Sequence, residues 1–142
     1  MAIKSNHCAY DTHYHIVFPV KYRKALLANN IPLAISEIAK EIGLRYEIDF
    51  EKIGCDTDHL HILASYHPKY SGTEIVTKIK SLMARELFKR FPELRKELWG
   101  GEFWSDGYYI ATVGERGNWN IIKKYIENQG KTVEQSQLRL LI

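Results

Sequence analysis

The chain has 142 residues, 45% of them hydrophobic, 26% charged and 12% aromatic, with nine Gly and four Pro, which excludes disordered, collagen-like and low-complexity classes. No stretch approaches the ~18 consecutive apolar residues of a membrane span, the N-terminal residues lack the apolar core of a signal peptide, and Cys8 and Cys55 cannot build a disulfide framework, so one cytoplasmic domain with no membrane partner is expected. The net charge of +3 is too small to name a polyanionic partner, but residues 71–98 hold seven basic and four acidic side chains, a surplus equal to that of the whole chain.

Tyr10 to Val20, with Tyr14-His15-Ile16-Val17-Phe18 at its centre, is β-branched and aromatic enough to predict a first buried strand. Lys24 to Ile42 carries Ile31, Ile35, Ile38 and Ile42 on one helical face, with Pro32 in a first turn and Gly43 where a helix stop is expected. Arg45 to Cys55 alternates as a strand, and His59 to Tyr66 follows after Asp56-Thr57-Asp58, which predicts an antiparallel hairpin. Ser71-Gly72-Thr73-Glu74 has the spacing of a capping box, and Ile75, Ile79, Leu82 and Met83 continue a second helix to about Phe91-Pro92. Phe103 to Val113 reads as a fourth strand, residues 118–129 as a further helix, and 130–142 as a short helix or tail. The order β, α, β, β, α, β, then helix, is that of an α+β ferredoxin-like or RRM-like sandwich. Its antiparallel sheet is covered by helices on one face. A single domain over 1–142 is expected, with its core at about 10–113.

Alternate residues on a strand face the same side with α-carbons about 6.6 Å apart, so His59 and His61 in His59-Leu60-His61 can converge on one cation while Leu60 enters the core. His13-Tyr14-His15 has the same spacing, and spacing alone does not choose between the two pairs. Cys55, His59, His61 and His67 form a less favoured zinc set, all from one local stretch. Tyr125 and Gln129, four apart, share a face of the last helix; by itself such a tyrosine is far more often a packing residue than a nucleophile. Lys78, Lys80, Arg85 and Lys89 lie on the second helix as a candidate phosphate-facing stripe, weighed equally against an ordinary solvated face. Trp99, Phe103, Trp104, Tyr108 and Tyr109 are candidates for stacking on unpaired bases, at least half of them expected in the core. No phosphate loop and no dinucleotide fingerprint occurs, which argues against a nucleotide cofactor.

Three separated segments, Asp58-His59-Leu60-His61-Ile62-Leu63, then Leu98 to Tyr108 (LWGGEFWSDGY), then Tyr125-Ile126-Glu127-Asn128-Gln129, occur in this order; His13 to Phe18 and Lys21-Tyr22-Arg23-Lys24 precede them. Together they resemble the HUH single-tyrosine transposases, the small TnpA-type enzymes of single-strand insertion sequences, over about Tyr10 to Gln129. The resemblance implies the same ferredoxin-like fold, with the tyrosine on the additional C-terminal helix. It also breaks the tie between the histidine pairs, making His59 and His61 metal ligands with Gln129 as third ligand and Tyr125 as nucleophile. It implies Mg²⁺ or Mn²⁺ as cofactor. The implied reaction is cleavage and rejoining of single-stranded DNA at insertion-sequence ends through a 5′-phosphotyrosine, by a homodimer that recognises subterminal hairpins and can complete its active sites in trans. Two rival readings are a non-catalytic RRM-like module that binds single-stranded nucleic acid, and a domesticated relative that processes hairpins without mobilising an element.

Overall fold

The computed structural model describes residues 2–5, 7–114, 124 and 126. A small antiparallel hairpin, β1 (Ile3–Lys4) and β2 (Ala9–Tyr10), precedes β3 (His13–Pro19). Then follow α1 (Ile31–Tyr46), β4 (Ile48–Cys55), β5 (His59–Tyr66), α2 (Gly72–Arg90), the short α3 (Leu94–Glu97) and β6 (Tyr109–Val113). The main sheet has the order β4-β5-β3-β6, antiparallel throughout. This is the ferredoxin-like sandwich that the order of elements predicts.

The period-2 alternation of the two central strands divides the sheet into two unlike faces. In β3, Ile16 and Phe18 are buried, and they pair with Ile62 and Leu60 of β5. These four side chains belong to one core cluster with Ile35, Ile38 and Ile42 of α1 and Ile75, Ile79, Met83 and Leu87 of α2. Both long helices therefore cover the same face. The capping box of α2 is formed in both directions, Glu74 N–H donating to Ser71 Oγ and Ser71 N–H donating to Glu74 Oε1.

Several boundaries differ from the sequence reading, each for a local reason. The first long helix starts at Ile31 and not Lys24, because residues 24–30 are bonded into turns and Leu27 N–H donates to Thr57 O of the β4–β5 connection. Pro32 does lie in the first turn, where no amide donor is needed. Gly43 does not stop the helix; Glu47, in the left-handed region at φ 57°, does. The glycine is required for another reason, since a Cβ there would sit 2.5 Å from the carbonyl oxygen of Ile48. The strand after α1 begins at Ile48 rather than Arg45, and its ladder is interrupted by a bulge between Phe50 and Lys52. The last strand is shorter than expected. Phe103 and Trp104 are buried ahead of it, Trp104 bridges to Val20, and the ammonium of Lys80 donates to the carbonyls of Ser105, Asp106 and Gly107, which bends the chain before β6. The hairpin β1–β2 has no counterpart in the sequence reading. Among the described residues no helix is long and apolar enough to cross a membrane.

Alanine in place of an interior helical glycine ordinarily stabilises by up to about 1 kcal/mol. At Gly43 the sign should reverse, because the added methyl meets backbone that cannot rotate away. Gly43→Ala is expected to destabilise by roughly 1–3 kcal/mol. Urea unfolding checks this, as a lower midpoint at unchanged slope.

Candidate metal and nucleic-acid site

The second face of the sheet carries histidines. His59 and His61 of β5 lie on the side opposite Leu60 and Ile62, and His15 of β3 lies diagonally across from His61, because Val17 is the residue paired with His61. All three are buried, at 6%, 0% and 0% exposure. The rings of His59 and His61 meet edge to face with centroids 4.7 Å apart, and those of His61 and His15 stack at 5.5 Å.

The hydrogen bonds decide which nitrogen of each ring is available. The carboxylate of Asp58 accepts from His59 Nδ1 at 2.6 Å, which favours the tautomer with its proton on Nδ1 and its lone pair on Nε2. That Nε2 is buried and finds no hydrogen-bond partner among the described residues, the nearest carboxylate oxygen being that of Asp56 at 3.6 Å. His61 Nδ1 is likewise engaged, at 3.3 Å from His15 Nε2. Burial, followed by the charges of His59 and His15, pushes His61 down to about 2, and burial pushes His15 down to about 4. Both rings are therefore neutral at physiological pH, the form that binds metals. Burial pulls the Asp58 carboxyl upward, but the hydrogen bond from His59 and the guanidinium of Arg23 outweigh it and hold the group below its ordinary value. Arg23 Nε donates to Asp58 Oδ2 at 3.2 Å, so a chain of contacts runs from the turn after β3 to the first histidine of β5.

Two imidazoles alone make an incomplete metal site. No set of three His, Cys, Asp or Glu side chains is arranged to hold an ion among the described residues. Tyr125 and Gln129 lie outside the described residues. Of the expected tyrosine helix, Lys124 and Ile126 are described, both helical, the first exposed and the second buried. The alternative zinc set is not assembled. Cys55 pairs with Leu60 on the core side, its thiol pushed up to about 12 by burial, and His67 Nε2 lies 3.3 Å from the sulfur of Cys8. His13 contacts Asp11 and Glu51 instead of joining the three.

The basic residues of α2 have different surroundings. Lys78 stands over the ring of Tyr46 at 4.7 Å, and Lys80 is committed to the three carbonyls before β6, while Arg85 and Lys89 are exposed. Of the aromatic group, Phe103 and Trp104 are in the core, whereas Trp99 is 80% and Tyr108 39% exposed. His15 and Arg23 are the site residues that reasoning from spacing did not assign. The signal for His15 was present in His13-Tyr14-His15, whose second histidine shares the parity that faces away from Ile16 and Phe18; Arg23 enters only through its contact with Asp58. An open groove of about 820 Å³ between β1, α1 and β4 contains none of the three buried histidines.

Residues 8–129 match the family described as "Transposase IS200 like". The chain belongs to this family of transposases. This transposase is 32% identical over 120 residues to the ISDra2 transposase TnpA of Deinococcus radiodurans, covering 84% of this chain and 85% of the relative. It is 30% identical over 123 residues to the transposase for insertion sequence element IS200 of Salmonella typhimurium, covering 87% and 80%. In fold it is similar to a crystal structure of a Deinococcus radiodurans R1 protein assigned to the transposases, with a TM-score of 0.72 at 28% identity over 89% of this chain and 97% of that one. A REP-associated tyrosine transposase bound to a REP hairpin shares the fold at a TM-score of 0.59 and 8% identity, over 89% and 72% of the two chains. This IS200-like transposase is thus a DNA-recombining protein of insertion-sequence type, and the His59–His61 pair lies within the matched region.

The bond to Asp58 predicts that His59 is the Nδ1–H tautomer near pH 8. Long-range ¹H–¹⁵N correlation spectra should show a protonated Nδ1 and a bare Nε2. Asp58→Ala should release the ring to a mixture of tautomers, the preference being maintained by this carboxylate.

Proposed function

We propose that this IS200-like transposase cuts and rejoins single-stranded DNA through Tyr125, with Mg²⁺ or Mn²⁺ held by His59, His61 and the side-chain carbonyl of Gln129. The observation that carries the reading is the buried histidine pair on one sheet face, with both Nδ1 atoms already engaged. The donor set suits the ion. His59 Nε2 is a buried acceptor with no hydrogen-bond partner among the described residues, a costly state for a polar atom that a cation relieves, and beside the two imidazoles the Gln129 carbonyl and the DNA phosphate would supply the oxygen donors that Mg²⁺ and Mn²⁺ take. When bound, the ion supplies the positive charge that polarises the scissile phosphate.

Every other step belongs to the chain and the DNA. Tyrosine, with an ordinary pKa near 10, is a weak nucleophile at neutral pH and needs such an activated target. Its oxygen attacks phosphorus and loses its proton, the bond from phosphorus to the 3′-oxygen breaks, and that oxygen takes up a proton and departs as a 3′-hydroxyl. A 5′-phosphotyrosine remains. One phosphoester replaces another, so attack by a second 3′-hydroxyl restores the DNA without ATP, consistent with a sequence that has no phosphate loop. Asp58 and His15 act as positioning residues that fix the two imidazoles. The substrates are single strands with hairpin ends, a partner class supported by the REP hairpin carried by the fold relative. The enzyme works in the cytoplasm as a homodimer in which one protomer's tyrosine helix can serve its partner's histidines.

The test is incubation of wild type and Tyr125→Phe with 5′- and 3′-labelled single-stranded DNA from the flanks of the gene, in Mn²⁺, Mg²⁺ or EDTA. A metal-dependent adduct on the 5′-phosphate is expected, falling below detection in the variant. An adduct that persists in Tyr125→Phe moves the nucleophile elsewhere. Tight binding with no adduct under any metal makes the chain an RRM-like binding module. In a parallel titration, Asp58→Ala should weaken Mn²⁺ binding roughly 10–100-fold, read from the electron paramagnetic resonance of the free ion.

A further inference from the structure

Two large aromatic side chains are left uncovered on adjoining turns: Tyr22, 57% exposed, after β3, and Trp99, 80% exposed, after α3. Their positions are held by more than chance contact. Lys21 N–H donates to Phe103 O at 2.9 Å, and the Lys21 ammonium pairs with Glu102 at 2.9 Å. Lys24 reaches Glu97 at 3.5 Å, and the Tyr22 hydroxyl donates a long bond, 3.5 Å, to the carbonyl of Trp99 itself. The turn of residues 21–24 is thus strapped to the Trp99 turn on both sides of the tryptophan.

The backbone is unusual on both sides of that strap. Tyr22 and Arg23 lie consecutively in the left-handed region, at φ 61° and 53°, which ordinary side chains avoid, and Gly100 and Gly101 follow Trp99 at φ 80° and 73°. Tyr22 and Arg23 thus hold a conformation that side chains disfavour, glycine supplies the matching one after Trp99 at no cost, and both rings remain largely exposed. Lys21, Arg23 and Lys24 bracket Tyr22, each paired with a carboxylate, Glu102, Asp58 and Glu97. Arg95, its guanidinium 4.5 Å over the ring of Phe88, lies 3.7 Å from where a Cβ on Gly101 would stand. The same turn leads to the histidines, since Arg23 bonds Asp58 and Asp58 bonds His59.

We propose that Tyr22 and Trp99 form a stacking platform for unpaired bases of the DNA strand that passes the His59–His61 pair. This inference deepens the reading given under Proposed function and rests on it for the single-stranded substrate. Aromatic faces with interleaved cations bind single strands with little regard to sequence, because every base has a π-face and every nucleotide a phosphate. A platform held rigid before binding loses little freedom when a base is placed on it. Arg23, the neighbour of Tyr22, bonds Asp58 and through it His59, which ties the turn bearing the platform to the histidine pair.

The test is equilibrium binding in EDTA, where no cleavage intervenes. Fluorescence anisotropy is read with a labelled hairpin carrying a single-stranded tail, with a blunt hairpin, and with an unstructured 12-nucleotide thymidine strand. Trp99→Ala and Tyr22→Ala should each raise Kd for the tailed hairpin and the thymidine strand about tenfold, equivalent to about 1.4 kcal/mol, and leave the blunt hairpin within twofold. Trp99→Phe should recover most of the loss. In wild type, irradiation of a strand containing 5-iododeoxyuridine should crosslink Trp99 or Tyr22, located by mass spectrometry; this arm needs no variant to fold. Unchanged affinity for tailed DNA, equal loss on blunt and tailed DNA, or crosslinks confined to other residues would each overturn the platform and leave Tyr125 chemistry standing. If wild type binds none of the three DNAs, the single-strand reading itself falls and the platform with it.

Discussion

The pairing of β3 with β5 is the constraint on which the rest of the molecule depends. Its register sets Ile16 against Ile62 and Phe18 against Leu60, and the same register sets Val17 against His61. A slip of one residue would exchange the two faces of a strand, bringing imidazoles into the helix-covered core and leucine and isoleucine onto the functional side. Core packing and site assembly are therefore one specification. The hydrophobic side chains that hold the helices determine, by alternation, where the histidines stand.

Periodicity carried most of the architecture. The helical spacing of Ile31, Ile35, Ile38 and Ile42 and the capping pair Ser71 and Glu74 belong to short-range rules that sequence displays directly, and β5 runs from His59 to Tyr66 as read. What escaped were features set by contacts across the chain. Gly43 has the look of a helix stop, but it answers to the carbonyl of Ile48, which reaches it only after the chain has reversed. The turn after β3 resembles the start of a helix until its amides are seen to bond Thr57 and Phe103, residues far along the sequence.

The site divides in the same way. His59 and His61 announce themselves by spacing, and the family resemblance chose them over His13 and His15. That choice concerned which pair would hold a metal and said nothing of the groups that support the rings. His15 is buried against His61 because two strands distant in sequence are adjacent in the sheet, whereas His13, two residues earlier, is diverted by Asp11 and Glu51. The basic stripe of α2 was the least legible part. Equal helical offsets cannot reveal that Lys78 has an aromatic ring beneath it and Lys80 a bent loop beside it.

The three carbonyls around Lys80 bear on how this fold tolerates change. Surface connections ordinarily absorb inserted or deleted residues at small cost. Here the connection between Trp104 and Tyr109 is clasped at its midpoint by one ammonium group projecting from α2. An extra residue would have to be accommodated within a fixed span on either side of the clasp, displacing either the buried indole or the first rung of the β6 ladder. The length of this connection is thus restrained by a side chain more than twenty positions earlier, and variation among related chains should accumulate outside it.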